Sequence, residues 1–218
     1  MPRRFDLLVF DWDGTLMDSA ACIASALRAA CSDLGYGVPS ERDARYVIGL
    51  GLHDALAHVL PGIASTEYPR VVERYRHHFL LGDAGTTLFT GASEMLRELH
   101  DAGHLLAIAT GKSRKGLARA LAGVALDALF HATRCADEGH SKPHPGMLNW
   151  LMDALDVAPG RTLMIGDTTH DMAMARAAGV ARLGMTHGAH ERAALLEYGP
   201  VACLGSCAEL RAWLRDHA

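Results

Sequence analysis

The feature that most restricts what this chain can become is the short run Phe5-Asp6-Leu7-Leu8-Val9-Phe10, stopped by Asp11-Trp12-Asp13-Gly14. A brief apolar run bounded by a turn signal reads as a fully buried strand ending in a tight turn. From Ser19 to about Leu81 the pattern changes to helical periods. Ile23, Ala26, Leu27 and Ala30 share one helix face, and Val71, Val72, Tyr75 and Phe79 another. Val47 with Ile48, and Leu56 with Val59 and Leu60, predict short helices between them. No strand is predicted in this stretch.

After Gly82-Asp83-Ala84-Gly85 the chain alternates helices with short apolar runs, the signature of repeated βα units. A helix carrying Leu96 and Leu99 leads to a strand over 105–109 that stops at Thr110-Gly111. Helices near 114–122 and 145–155 precede a strand over 162–165 that stops at Gly166-Asp167. A helix over about 170–178, capped by Gly179, leads to a strand over 180–183. A further strand over 201–204 precedes a last helix ending at Leu214. Helical crossovers between strands imply an α/β fold with a mostly parallel, doubly wound sheet, which binds ligands at the carboxyl ends of its strands. Three predicted strands end in chemically capable residues: Asp11 with Asp13, Thr110, and Asp167. The helical block follows the first of these ends, where it would sit over the crevice as a lid.

At 218 residues the chain suits a core domain with an accessory domain, or one large domain. Half its residues are hydrophobic and its net charge is -4, as in ordinary soluble globular proteins. The one basic cluster, Pro2-Arg3-Arg4, is too small to hold a nucleic-acid backbone. Cys22, Cys31, Cys135, Cys203 and Cys207 are scattered without any Cys-x-x-Cys pairing, which argues against a disulfide framework or zinc site and for a reducing compartment. The run Leu7 to Phe10 is too short for a signal core or a membrane span. The expected setting is cytoplasmic, with neither membrane nor nucleic acid as partner and a monomeric or homodimeric state.

Asp11-Trp12-Asp13-Gly14-Thr15 is the sharpest chemical signal, because two carboxylates one residue apart can divide the roles of nucleophile and general acid/base. At ordinary residue frequencies Asp-x-Asp-Gly-Thr arises by chance in on the order of one chain in 500 of this length. The motif resembles the signature of the haloacid dehalogenase-like hydrolase superfamily, set after the first strand of a Rossmann-like sheet. Leu16-Met17-Asp18-Ser19 then resembles the branch containing phosphoglycolate phosphatases, in which a helical cap is inserted at this point. Thr110-Gly111-Lys112, Lys142-Pro143 and Gly166-Asp167-Thr168-Thr169-His170-Asp171 resemble the second, third and fourth motifs, in the family's order.

The resemblance implies a Rossmann-like core over residues 1–17 and 84–218 with an all-helical cap over 18–83. It also implies a magnesium-dependent phosphatase acting on a small phosphorylated metabolite through an aspartyl-phosphate. Asp11 is the implied nucleophile, Asp13 the acid/base, and Thr110 and Lys142 the groups that meet the phosphoryl oxygens. The Trp12 and Asp13 amides and the Gly111 backbone would complete that cradle. Asp11, the Asp13 carbonyl and Asp167 are the implied ligands of a magnesium ion (Mg2+), with Asp171 either a ligand or a support for Lys142. A helix-start carboxylate placed for the dipole also accounts for Asp171. Phosphate-monoester hydrolysis needs up to roughly 10²¹-fold acceleration, of which one general acid supplies only about 10² to 10⁴, so most must be electrostatic.

Asp13 counts against a dehalogenase, which has no alkoxide to protonate. A phosphosugar mutase or pyrophosphatase of the same superfamily would keep these motifs. A non-catalytic phospho-acceptor module would place its acidic pair and acceptor on separate strands. The thirteen histidines read as surface or satisfied residues rather than metal ligands. The Gly49-Leu50-Gly51-Leu52 stretch suits a substrate-facing loop or a simple helix break, and Arg45, His53 and Arg74 suit either an anionic substrate tail or solvent.

Overall fold

The computed structural model describes residues 4–83 and 85–218; Pro2 and Arg3 of the basic cluster, and Ala84 at the expected domain boundary, lie outside them. Six parallel strands form one sheet in the order β3-β2-β1-β4-β5-β6: β1 Leu7–Phe10, β2 Leu105–Thr110, β3 Ala132–Cys135, β4 Thr162–Gly166, β5 Ala181–Met185 and β6 Ala202–Leu204. β1 is central, with Val9 opposite Ala107 of β2 on one side and Met164 of β4 on the other. Its side chains alternate between two cores. Leu8 and Phe10 pack with Leu96, Leu106 and Ile108, whereas Leu7 and Val9 pack with Leu148, Leu151 and Met174. Burial on both faces is the physical reason for the unbroken apolar run.

Helices α1 Ala20–Asp33, α2 Glu41–Tyr46, α3 Leu52–Val59 and α4 Tyr68–Asp83 follow β1 before the chain returns to the sheet. They build a third core of their own around Leu27, Cys31, Ala44, Leu56 and Val71. Helices α5 Ala92–Asp101, α6 Arg114–Val124, α7 Gly146–Leu155, α8 Thr169–Ala177, α9 Arg192–Leu196 and α10 Cys207–His217 then alternate with the remaining strands. The strand order runs outward from β1 to β3 and then restarts on the other side at β4. That is a topological switch point, and it opens a crevice where β1 and β4 end.

Two expectations need correction. β3 was not predicted, because Ala-Thr-Arg-Cys at a partly exposed sheet edge has no apolar run to betray it. Val47 and Ile48 do not form a helix; they are the buried turn after the polar helix α2. Smaller shifts place β5 at Ala181–Met185 and extend the last helix to His217. All five cysteines are unpaired, and no helix among the described residues is long and apolar enough to cross a membrane.

The helical block is tied to the sheet domain at Tyr46. Its carbonyl oxygen meets Nε2 of His170 at 2.7 Å and Nε2 of His190 at 3.0 Å, and its ring stacks on His190 at 5.4 Å. The Thr169 N–H donates to Nδ1 of His190, so the proton of that ring sits on Nε2 and donates to Tyr46. Burial, opposed by the bond to Tyr46, lowers the His170 pKa from 6.5 to about 4. His190 is lowered for the same reason. A buried histidine held neutral costs nothing when both states are neutral, so the penalty appears as pH falls below the unfolded value. We therefore expect unfolding experiments to show up to about 3 kcal/mol of stability lost between roughly pH 6.5 and 4. His170→Gln, which keeps a donor for Tyr46 but cannot titrate, should flatten that slope.

Candidate active site

The crevice residues are fixed by the ends of the strands. The Asp11 N–H donates to the Ile165 carbonyl at 2.9 Å, which carries the β1–β4 ladder one residue past the strand. Gly14 then turns the chain with φ +81°, and a Cβ there would lie 2.2 Å from Asp167 Oδ2, so only glycine fits. Asp167 follows β4. Its Oδ1 accepts from Thr15 Oγ1 at 2.7 Å and its Oδ2 from the Ala189 N–H at 2.7 Å.

Asp171 stands in the first turn of α8, where the Thr168 N–H and Oγ1 donate to its Oδ2 at 3.1 and 2.7 Å. It is therefore a capping residue, as the helix-start account required. Its other oxygen lies 2.6 Å from Lys142 Nζ, and Lys142 Nζ lies 2.8 Å from Asp11 Oδ1. Those two contacts are ion pairs outside good hydrogen-bond angles, since neither Lys142 Nζ nor Asp171 Oδ1 has an aligned partner. The structure thus joins Asp11, Lys142, Asp167 and Asp171, all buried, in one cluster.

Asp13 lies to the cavity side of that cluster. Its Oδ1 accepts from Ser19 Oγ at 2.6 Å and pairs with Lys112 Nζ at 3.0 Å. Thr110 is buried at the end of β2, and its Oγ1 accepts from the Lys112 N–H at 3.2 Å. Gly111 lacks a side chain for a reason the sequence did not suggest: a Cβ would lie 2.5 Å from the Leu50 carbonyl, where the helical block's Gly49–Leu50 loop packs. The Trp12 amide points not outward but to Asp11 Oδ1, at 2.6 Å. Lys112, Ser19 and Thr15 were missed as functional positions although each lies within a quoted motif. Their polar side chains gave no sign of which carboxylate they would meet.

The electrostatics of the cluster are unbalanced. Ligand oxygens of Asp11, Asp167 and Asp171 lie within 4.8 Å of one another, and Lys142 is their single ammonium. Burial first, and then the neighbouring carboxylates, raises Asp11 well above the ordinary range despite Lys142. Burial and Asp171 likewise push Asp167 up to about 7, against the bonds from Ala189 and Thr15. Burial disfavours the Lys142 ammonium, but Asp11 and Asp171 more than offset it and hold its pKa above the usual lysine value. With the carboxylates ionised, two negative charges remain uncompensated, and Asp11 Oδ2 is buried without any partner. An all-oxygen donor set with a double negative excess fits a hard divalent cation such as magnesium.

Above Asp11 and Asp13 opens a cavity of about 720 Å³, roofed by the helical block and including Gly49, Leu50 and Gly51 in its lining. The Gly49–Leu52 stretch is therefore both a helix break and a cavity wall. Of the three cations considered for a substrate tail, only His53 lines it. Arg45 pairs instead with Glu41, and Arg74 with Asp33.

The haloacid dehalogenase-like hydrolase family model matches residues 8–185. The Dickeya dadantii protein named "Probable phosphatase IndB" is 36% identical over 84% of this chain and 82% of its own length. The phosphoglycolate phosphatase of Colwellia psychrerythraea is 30% identical over 94% of this chain and 95% of its own. In fold, a hydrolase from Pseudomonas syringae superposes with a TM-score of 0.90 over 98% of this chain and 99% of its own, at 21% identity. A buried cluster built from three of the four motifs, together with a family match spanning most of the sequence, makes this chain a member of the haloacid dehalogenase-like hydrolase family.

Proposed function

We propose that this protein is a magnesium-dependent phosphatase that hydrolyses the monoester of a small phosphorylated metabolite through an aspartyl-phosphate on Asp11. The observation that carries it is the buried trio Asp11, Asp167 and Asp171 with only Lys142 to oppose it, open through Asp11 to a cavity. The names of the relatives support the reaction and make phosphoglycolate the reference substrate. The four helices over 18–83 are read as a cap inserted into a core of residues 1–17 and 84–218, since they form a separate hydrophobic core over the site.

In the first displacement the Asp11 carboxylate attacks phosphorus, the ester P–O bond breaks, and the departing oxygen takes a proton from Asp13. In the second, Asp13 takes a proton from water, the water oxygen attacks phosphorus, and the Asp11–phosphoryl bond breaks to release phosphate. Both partners of Asp13 fall on Oδ1, which leaves Oδ2 for the proton. Lys142 favours the ionised form of Asp11 against burial and supplies positive charge at the phosphoryl group, while Asp171 holds Lys142 in place. Thr110 at the end of β2 offers its hydroxyl from the opposite side of Asp11, and the Gly111 backbone stands beside it. Asp11, Asp167 and the Asp13 carbonyl would hold a magnesium ion, which would supply charge neutralisation for the phosphate and the attacking carboxylate. Asp171, which pairs with Lys142 and caps α8, is assigned to positioning that lysine.

Phosphate release from a panel of phosphorylated metabolites, with magnesium or chelator, tests the proposal. Asp11→Asn should lose at least about 10³-fold in kcat and Asp13→Asn about 10²- to 10⁴-fold. Activity surviving in Asp11→Asn would remove Asp11 as nucleophile. Magnesium should also raise the unfolding temperature in the absence of substrate, equivalent to about 2.7 kcal/mol at a concentration 100 times its Kd. Asp167→Asn should abolish that rise, and an undiminished rise would exclude Asp167 from the metal site.

A further inference from the structure

The cavity over Asp11 and Asp13 has a charged floor and an apolar roof. Ile23 and Leu27 from α1, Ile48, and Tyr75 and Phe79 from α4 form the roof. The Tyr75 and Phe79 rings stack with centroids 5.9 Å apart. Lys112 connects roof and floor: its ammonium lies 4.9 Å over the Phe79 ring and 3.0 Å from Asp13 Oδ1. The ester oxygen of a bound substrate must come within about 3 Å of Asp13 to take its proton. Whatever that oxygen is bonded to is therefore delivered against Phe79 and Tyr75.

A two-carbon acid such as glycolate would need a counterion at that place. Arg45 and Arg74 of the helical block are paired with Glu41 and Asp33 and do not line the cavity. His53, Arg76, Lys115 and Arg119 do line it, but all four are exposed, and Arg119, whose guanidinium lies 5.8 Å over the Phe79 ring, is paired with Asp83. Lys112 is already engaged by Asp13. A carboxylate set against the roof would lose water and meet only cations already paired with Asp13 and Asp83. The volume of about 720 Å³ also belongs to the range of roughly 300–1,000 Å³ that accommodates multi-ring ligands. Burial, reinforced by the charge of Asp13, raises the Tyr75 pKa, so its hydroxyl is a neutral donor in an otherwise apolar wall.

We infer that the substrate is a phosphate monoester whose alcohol half carries a bulky, largely apolar ring system that stacks on Phe79 and Tyr75. This rests on the phosphatase reading and specifies its leaving group. Two readouts test it: kcat/KM of the wild type for 2-naphthylmethyl phosphate against phosphoglycolate, and calorimetric binding of the same two esters to Asp11→Asn, both with magnesium. The ring ester should be favoured at least tenfold in each. Phe79→Leu, which keeps apolar bulk but removes the ring, should lower that preference about threefold to tenfold. Tyr75→Leu, at a less buried position, serves the same purpose should Phe79→Leu fail to fold. Equal or better use of phosphoglycolate, or a preference untouched by both variants, would overturn the inference and leave the phosphatase intact. Ring-selective binding with no hydrolysis of either ester would instead overturn the phosphatase reading while sustaining the ligand assignment.

Discussion

The Lys142 ammonium, buried between Asp11 and Asp171, is the interaction on which the rest of this molecule depends. It binds together the end of β1, the loop before α7 and the first turn of α8. Three carboxylates cannot share a dry space on hydrogen bonds alone, because each charge loses its water and repels the others. Lys142 removes part of that cost and leaves a defined remainder of two negative charges. The remainder fits a divalent cation, so the same imbalance suits the cluster to a metal and a phosphoryl group.

Chemistry and recognition are divided between two layers of the chain. The carboxylates stand on strand ends and a helix cap, where ladder bonds and the Gly14 turn fix them. The cavity roof comes from α1 and α4, whose exchange for other apolar or charged residues would not disturb a strand. The two layers meet, among other points, at the Gly49–Leu50 loop on Gly111, the Tyr46 carbonyl between His170 and His190, and Lys112 between Phe79 and Asp13. Each of these joins a residue of the helical block to one placed by the sheet.

Much of this was legible in the sequence. The central strands announced themselves because burial on both faces demands continuous apolar residues, and the reactive residues directly follow β1, β2 and β4. Edge strand β3 and polar helix α2 were not legible, since neither needs an apolar pattern to form. Asp171 was readable as a cap, as a metal ligand or as a support for Lys142, and one of its carboxylate oxygens makes the cap contact while the other faces Lys142. Lys112 could not be assigned from its motif, because its partner Asp13 lies 99 residues away in the chain. His170 and His190 were read as satisfied residues, but the atom that satisfies them, a backbone carbonyl on another helix, has no signature in any side chain.

The sequence by itself determined the order of strands and helices apart from β3 and α2, the family, and which carboxylates stand at the ends of β1 and β4. Those follow from periodicity and short motifs, which act over a few neighbouring residues. Only the tertiary structure decided how those charges pair, where the unpaired Asp11 oxygen lies, and that Tyr75 and Phe79 line the cavity with Lys112 over the Phe79 ring. Such properties depend on which distant side chains exclude water together, and exclusion of water is set by packing in three dimensions rather than by position along the chain.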